Sequence, residues 1–518
     1  MGKYLGLDSS TQSLSCCLID NDEQRIEYES SINFDEYFSG DYGTTNGVLE
    51  LGNGTVHSPP LMWVEALDML FETMRSDGVD LSSINSISGS GQQHGTVYLN
   101  NSVTRKLANL DPSETLKVQL SHIFSRSTSP IWMDTSTKKQ CIELENKIGG
   151  KNAFLELTGN TAYERFSGPQ IRKFYQDEPK SYHETSNISL VSSFIASILA
   201  GKPTGIDPGD ASGTNLMDIS TQKWSHKLLE ATAPNLAGKL LPISNPQTTI
   251  GKISSYFTKR YGFDSRCEIL PFTGDNPSSL IGLGLVDPGR VALSLGTSDT
   301  LFACMNSPQV SHNGEGCVFA SPDGKNYMAL ICFLNGSLAR EAVRDAYRLS
   351  WQEFAQALKE TPRGNNGGLI LPYFSPEITP QVSNPCVVRH ALNESDAKAN
   401  VRAVIEAQAM ASKIHSKWMD IDIHSLYVTG GASINEEILR IYADVHNCPV
   451  HRFETTNSAC LGAALRALQE DIGCDWKTAV APYTQPSKNS TIQPKTNASE
   501  LYVELLKEYE ILVAANIY

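Results

Sequence analysis

The sequence predicts an α/β fold of two related domains, and three observations carry that prediction. The chain has 518 residues, more than one ordinary domain holds. Apolar runs of strand length alternate with apolar stripes at helical spacing through both halves. A short pattern also occurs twice, as Leu5-Gly6-Leu7-Asp8-Ser9-Ser10-Thr11-Gln12 and as Leu293-Ser294-Leu295-Gly296-Thr297-Ser298-Asp299-Thr300. Each copy reads as an apolar strand, a tight turn of small and hydroxyl residues, and a second strand. The second strands run from Leu14 to Ile19 and from Leu301 to Met305.

Such a turn lets backbone N–H groups approach an anion, with Ser and Thr adding donors. Most small polar turns between strands are plain hairpins; it is the doubling that gives this one weight. One turn in each half predicts two domains gripping a polyphosphate, with Ser9, Ser10, Thr11, Thr297 and Ser298 as the cradle. Asp8 in the first copy matches Gly296 in the second, which predicts unequal jobs around one ligand. Asp8 suits Mg²⁺, directly or through water, because that ion takes few carboxylates and keeps much of its hydration. This is the layout of ATP-dependent kinases on the actin and hexokinase plan. The predicted fold is therefore a pair of actin-like, ribonuclease H-like ATPase domains with a deep interdomain cleft.

Composition narrows the partners. The net charge is −15, from 42 basic and 57 acidic residues. That argues against non-specific binding to nucleic acid or to an anionic membrane, both of which want basic surfaces. Eleven cysteines are scattered from Cys16 to Cys474 with no Cys-x-x-Cys pair. This pattern predicts neither disulfides nor structural zinc and fits a reducing cytoplasm. No apolar run reaches about 18 residues, so no membrane span is expected, and no apolar signal segment precedes the strand at Tyr4. A monomer or homodimer is expected.

Along the chain, residues 34–58 are rich in Gly and Asn and read as a long loop. Pro59-Pro60 opens a helix in which Met62, Trp63, Ala66, Leu67, Leu70, Phe71 and Met74 form one apolar stripe. Ile84 to Ser90 is a strand, followed by the loop Gly91 to Gly95 and the strand Thr96 to Leu99. Asn187 to Val191 leads into a helix ending at Gly201, a C-cap. The turn Val286-Asp287-Pro288-Gly289-Arg290 marks the boundary between a first domain over 1–285 and a second over 286–518. In the second half, the strand Leu426 to Val428 runs through Thr429-Gly430-Gly431-Ala432 into a helix from about Asn435. Ser458 to Ala464 has the small residues of a tightly packed helix. Residues 481–499, rich in Ser, Thr, Asn, Pro and Lys, read as a solvated linker. A last helix places Leu501, Leu505, Leu506 and Tyr509 on one side.

Seven short motifs together resemble the FGGY family of carbohydrate kinases, over roughly residues 4–470. They are Gly91-Gln92-Gln93-His94-Gly95, Pro130-Ile131-Trp132-Met133-Asp134, Arg165-Phe166-Ser167-Gly168-Pro169-Gln170, Phe272-Thr273-Gly274-Asp275-Asn276-Pro277, the second hairpin, Asn335-Gly336-Ser337, and Val428 to Asn435. Within the family the likeness is to the eukaryotic-type branch acting on the ketopentose D-xylulose. Two departures point away from glycerol as substrate. Ser136 stands where many members carry Arg after Trp-x-Asp, and Pro376-Glu377-Ile378-Thr379-Pro380 replaces an Arg-containing segment.

The resemblance implies roles. Asp275 would accept the proton of the attacking sugar hydroxyl; read alone, Gly274-Asp275-Asn276 is equally an Asx turn. Gln93, His94, Arg165 and Asn276 would bind the sugar. Gly430, Gly431 and Asn435 would hold adenosine, with Trp351 flanking the base or buried in the core. Asp207 to Thr214 also matches the family but reads best as a structural turn. The implied activity is ATP- and Mg²⁺-dependent phosphorylation of D-xylulose at its 5-hydroxyl. Kinases of ribulose or glycerol, and an actin-like nucleotide switch, are the competing readings.

Overall fold

The computed structural model describes residues 2–453, 457–488 and 490–518. The chain forms two compact units. The first comprises Met1–Val286, Phe319–Tyr327 and Asn457–Thr484; the second comprises Asp287–Val318, Met328–Thr456 and Gln485–Tyr518.

In the first unit the main sheet runs in the order Gly251–Lys252, Glu268–Ile269, Ile84–Gly91, Lys3–Ser9, Ser13–Asp20, Arg25–Asn33. Lys3–Ser9 pairs antiparallel with Ser13–Asp20 on one side and parallel with Ile84–Gly91 on the other. The parallel strands place their C-terminal ends together, so Asp8 lies opposite Ser90, and Thr273–Gly274 pairs beside Ser90 and Gly91. Ends of parallel strands are where open α/β sheets gather binding residues. The helix Pro60–Ser76 buries all seven residues of its apolar stripe, its Leu, Met and Phe side chains contributing roughly 1.5–3 kcal/mol each.

The second unit repeats this plan. Its sheet includes, in order, Asp299–Met305, Arg290–Leu295, Ser425–Thr429, Val450–Arg452 and Thr491–Ile492. Arg290–Leu295 is again antiparallel to its hairpin partner and parallel to the strand on its other side. The duplicated hairpin is thus the opening of two sheets of like order.

Four expectations need correction. Residues 34–58 are not a loop. Asn33 caps a helix, Phe34–Tyr42, by accepting from the N–H groups of Asp35 and Glu36, and Phe34 and Phe38 anchor it. A hairpin, Leu49–Gly52 with Thr55–Ser58, follows. It turns at Asn53-Gly54, both with positive φ (52° and 76°), the pairing that a two-residue hairpin favours. Second, the division is not one cut near 285. Helix Ser458–Ile472 packs on Lys3–Ser9, Ile84–Gly91 and Asp275–Gly282 and belongs to the first unit. There it buries Cys460, Leu461, Ala464, Leu465 and Leu468 against Tyr4, Cys17, Ile19 and Ile281. Third, residues 481–499 are not a simple linker, since Thr491–Ile492 adds an edge strand against Val450–Arg452. Fourth, the last helix, Ala498–Asn516, buries Tyr502, Leu505, Leu506, Tyr509 and Val513, while Leu501 is exposed. No helix among the described residues is long and apolar enough to cross a membrane.

Candidate active site

In the first unit the strand Thr273–Gly274 ends at Asp275, the first residue of helix Asp275–Gly282. Asp275 Oδ1 accepts from the backbone N–H of Asn276 (2.8 Å), from Asn276 Nδ2 (3.0 Å) and from the N–H of Gln93 (3.3 Å). Asn276 Nδ2 also donates to Gln93 Oε1 (2.8 Å). Asp8, at the end of its strand, accepts from Ser90 Oγ at 2.6 Å. Burial pushes the Asp8 carboxyl up to about 6. Burial, and after it the charge of Asp8, pushes Asp275 up to about 7, against the lowering effect of its backbone donors. A buried carboxyl whose proton affinity is raised further by the charge of Asp8 suits a base, with Asp8 as the cation holder.

His94 lies in the turn after Ile84–Gly91 with φ of 72°. Its Nδ1 is 2.6 Å from the Gly213 carbonyl. A carbonyl only accepts, so Nδ1 carries the hydrogen, and in the neutral ring Nε2 is an acceptor. Burial, and then the Arg165 charge, lowers this imidazole to about 3, which keeps it neutral. Phe166 stacks on the ring at 4.1 Å. Arg165 sits half-buried over Tyr163 (4.9 Å) and Phe166 (5.9 Å). Thus Gln93, His94, Arg165, Asp275 and Asn276 fall in one neighbourhood of the first unit.

Several buried polar atoms there have no hydrogen-bond partner among the described residues: Ser9 Oγ, Gln93 Nε2, Asp210 Oδ1 and Thr273 Oγ1. Buried polar groups are normally paired, so such a set marks a place that expects a polar ligand. Sequence reasoning missed Asp210. The segment Asp207 to Thr214 does turn the chain: Asp207 accepts from the Gly209 N–H and pairs with Arg466 at 2.7 Å. It also supplies the Gly213 carbonyl to His94 and buries Asp210, whose carboxyl is driven well up by burial and by the nearby Asp275. The signals were the family likeness of Asp207 to Thr214 and a second Asp in Asp-Pro-Gly-Asp, which turn chemistry explains equally well.

The first hairpin is partly occupied by its own bonds. Ser10 Oγ donates to the Ser13 carbonyl (3.0 Å), and Thr11 Oγ1 accepts from Trp132 Nε1 (2.8 Å). In the second unit the turn Gly296 to Ser298 is braced from below. The Ser337 N–H donates to the carbonyls of Gly296 and Thr297, and buried Arg340 clasps Asp299 through both oxygens (2.9 and 3.0 Å). A Cβ at Gly336 would lie 2.7 Å from the Thr297 carbonyl, so this position requires glycine. Glu377 accepts from Leu334 and Asn335 N–H (2.7 and 2.9 Å), which gives the divergent Pro376–Pro380 segment a bracing role.

A cavity of about 950 Å³ in the second unit is lined by Thr297, Trp351, Gly431, Ala432 and Asn435, among others. That is the size of an ordinary small-molecule site. Gly430 has φ of 89°, and a Cβ there would meet the Leu295 carbonyl at 2.6 Å, whereas a Cβ on Gly431 meets nothing. Trp351 is 48% exposed; it is a wall of this cavity rather than core. Asn435 Oδ1 accepts from the N–H groups of Glu437 and Ile438 and caps the helix Glu436–His446. Ser298 is not among the residues lining the cavity.

Comparison with known proteins bears on the family and the fold. Residues 128–282 match the N-terminal domain, and residues 291–469 the C-terminal domain, of the FGGY family of carbohydrate kinases. The chain is 42% identical to "Xylulose kinase" of Rattus norvegicus over 521 residues, covering 98% of this chain and 95% of the rat protein. It is 41% identical to "Xylulose kinase 2" of Arabidopsis thaliana over 90% of this chain and 86% of that one. Among solved structures, the xylulose kinase from Rhodospirillum rubrum superposes with a TM-score of 0.83 at 18% identity, over 99% and 98% of the two chains. The Plasmodium falciparum glycerol kinase with ADP does so at 0.80 and 19%, over 100% and 99%. These likenesses establish the two-domain actin-like α/β fold. With both family domains matched and relatives aligned almost end to end at two-fifths identity, the chain belongs to the FGGY family of carbohydrate kinases.

Proposed function

We propose that this protein transfers the γ-phosphoryl group of ATP to the terminal 5-hydroxyl of D-xylulose. The observation that carries the substrate is the near full-length identity, about two-fifths, to proteins named xylulose kinase. The cluster of unpaired polar atoms around Asp275 supports a polyhydroxylated ligand in the first unit. Neutral His94 offers Nε2 to a sugar hydroxyl. Arg165, Gln93 and Asn276 supply donors, and their aromatic and amide supports fix them in place. Asp275 takes the proton of the attacking hydroxyl as its oxygen reaches phosphorus. Adenosine is assigned to the cavity lined by Trp351 and Gly431, with Gly430 turning the chain into it and Asn435 fixed by its cap. The braced turn presents Thr297 and Ser298 as phosphate donors, and in the first unit the Ser9 hydroxyl is a donor without a partner among the described residues. Ser10 and Thr11 shape that hairpin while their backbones contribute.

Among the described residues no three His, Cys, Asp or Glu side chains cluster as a metal cage. The donor set therefore fits a largely hydrated ion, and Asp8 would hold Mg²⁺ through water. When bound, that ion neutralises phosphate charge during transfer.

The test is phosphorylation of D-xylulose, D-ribulose, L-ribulose and glycerol followed by coupled ADP release. D-Xylulose is expected to give the highest kcat/KM by at least about tenfold, and the product to be the 5-phosphate by ³¹P NMR. Equal or higher kcat/KM with another acceptor, or ADP release indifferent to any sugar, overturns the proposal.

The raised proton affinity of Asp275 has a kinetic consequence. The carboxyl must be ionised to act as base, so kcat/KM is expected to fall as pH drops, with an acid limb at or below about 7. A cation beside Asp8 shifts that limb downward, because positive charge favours the ionised carboxylate. Activity flat from pH 5 to 8 would contradict the assignment.

A further inference from the structure

The second unit contains another large cavity, about 1040 Å³, outside the one assigned to the nucleotide. Five basic residues line it: Arg363, Arg440, Arg452, Lys488 and Lys495; among the described lining residues Glu436 is the one acid. Hydroxyl side chains from Ser487 to Thr496 fill the spaces between them. Such a concentration of positive charge stands out in a chain of net charge −15. Like charges crowded into one concavity repel one another, and a bound polyanion relieves that cost.

Neighbouring acids account for part of the charge. Asp444 takes Arg363 at 2.8 Å, and Glu437 lies 3.6 Å from Arg440. Lys488 and Lys495 still outweigh Glu436. The segment that carries the lysines is anchored. Thr491–Ile492 pairs with the edge of the sheet, the Lys495 N–H donates to Asp444 (2.9 Å), and the Ser487 N–H donates to the Arg452 carbonyl (3.1 Å). The backbone that carries the lysines is therefore placed beside the cavity before any ligand arrives, which lowers the ordering cost of binding. The volume exceeds what one phosphate fills, and the basic groups come from three separate stretches of chain.

We propose that this cavity is a second anion site that takes a small molecule bearing two or more phosphate groups. It is separate from the assigned nucleotide cavity, although Ile434 and Glu436 line both. The probe is inorganic tripolyphosphate, titrated calorimetrically into the full chain saturated with ADP and free of divalent metal. One saturable equivalent is expected, with affinity that falls as salt rises. The variant Lys488→Glu/Lys495→Glu is expected to weaken binding at least tenfold, Lys488→Gln/Lys495→Gln at least threefold, and Lys488→Arg/Lys495→Arg less than twofold. A pentose bisphosphate should bind the same site and inorganic phosphate at least tenfold more weakly. ADP affinity should be unchanged in all variants. No saturable binding to the wild-type chain at millimolar probe, or equal binding to the wild-type and Gln variants, overturns the site.

Discussion

Asp275→Asn is expected to lower kcat by about 10²–10⁴ while leaving D-xylulose binding within a fewfold of wild type. The range is what general-base assistance typically supplies, about 3–5 kcal/mol of transition-state stabilisation. The substitution separates the two meanings of Gly274-Asp275-Asn276. Asn serves an Asx turn or a helix start as well as Asp does. Its amide oxygen can still accept from the N–H groups of Gln93 and Asn276, which Oδ1 now engages. What Asn cannot do is take a proton. A structural role therefore survives the change and a basic role does not. The fold should survive as well. Burial and the Asp8 charge both act against the ionised form of this carboxyl, so a neutral amide is expected to unfold no earlier than wild type at pH 8. Calorimetric sugar titration, thermal unfolding and turnover on one preparation decide the matter. Turnover within tenfold of wild type, with the fold intact, would remove Asp275 from the base role.

Much of the site was legible because its signals are local. Gly430 and Gly336 occupy positions where a Cβ would strike backbone oxygen, and such positions announce themselves in short motifs. The hairpins open both sheets, so their repetition survives in sequence. What was hidden is carried by contacts distant along the chain. Helix Ser458–Ile472 read as a packed helix, but nothing in its composition says that its partner is a strand more than 400 residues earlier. Asp210 sits in turn chemistry that accounts for it fully until tertiary burial is known. The helix Phe34–Tyr42 has only Phe34 and Phe38 on its inner face, too few for a periodic stripe, and its cap on Asn33 lies in a polar run that suggests loop. The lysines of residues 485–497 look like linker solubility until an edge strand pins them.

Gly462→Val is expected to destabilise the first unit by about 3 kcal/mol or more, near the upper end for overpacking. The helices Asp275–Gly282 and Ser458–Ile472 meet backbone to backbone. A Cβ on Gly462 would fall 1.9 Å from the Ser278 carbonyl oxygen, and one on Gly282 would fall 1.9 Å from that of Ser458. No flexible side chain is present at these points to move aside, so the helices must separate. Gly462→Ala should already cost stability, with Val worse. In the same unit Gly40→Ala should do the reverse, since Gly40 lies in the helix Phe34–Tyr42 with open space where its Cβ would go. A helical Gly→Ala change of that kind gains about 0.5–1 kcal/mol. The consequence extends beyond stability. Ser278, the contact point, is three residues from Asp275, whose carboxylate is aimed by the first turn of that helix. Protein that remains folded at low temperature should therefore lose kcat as well, although residue 462 touches no substrate. Equilibrium denaturation of the three variants, with turnover at 10 °C, tests both claims. A Gly462→Val chain with wild-type stability would show that the two helices are not held by this contact, and the positioning of Asp275 would then need another source.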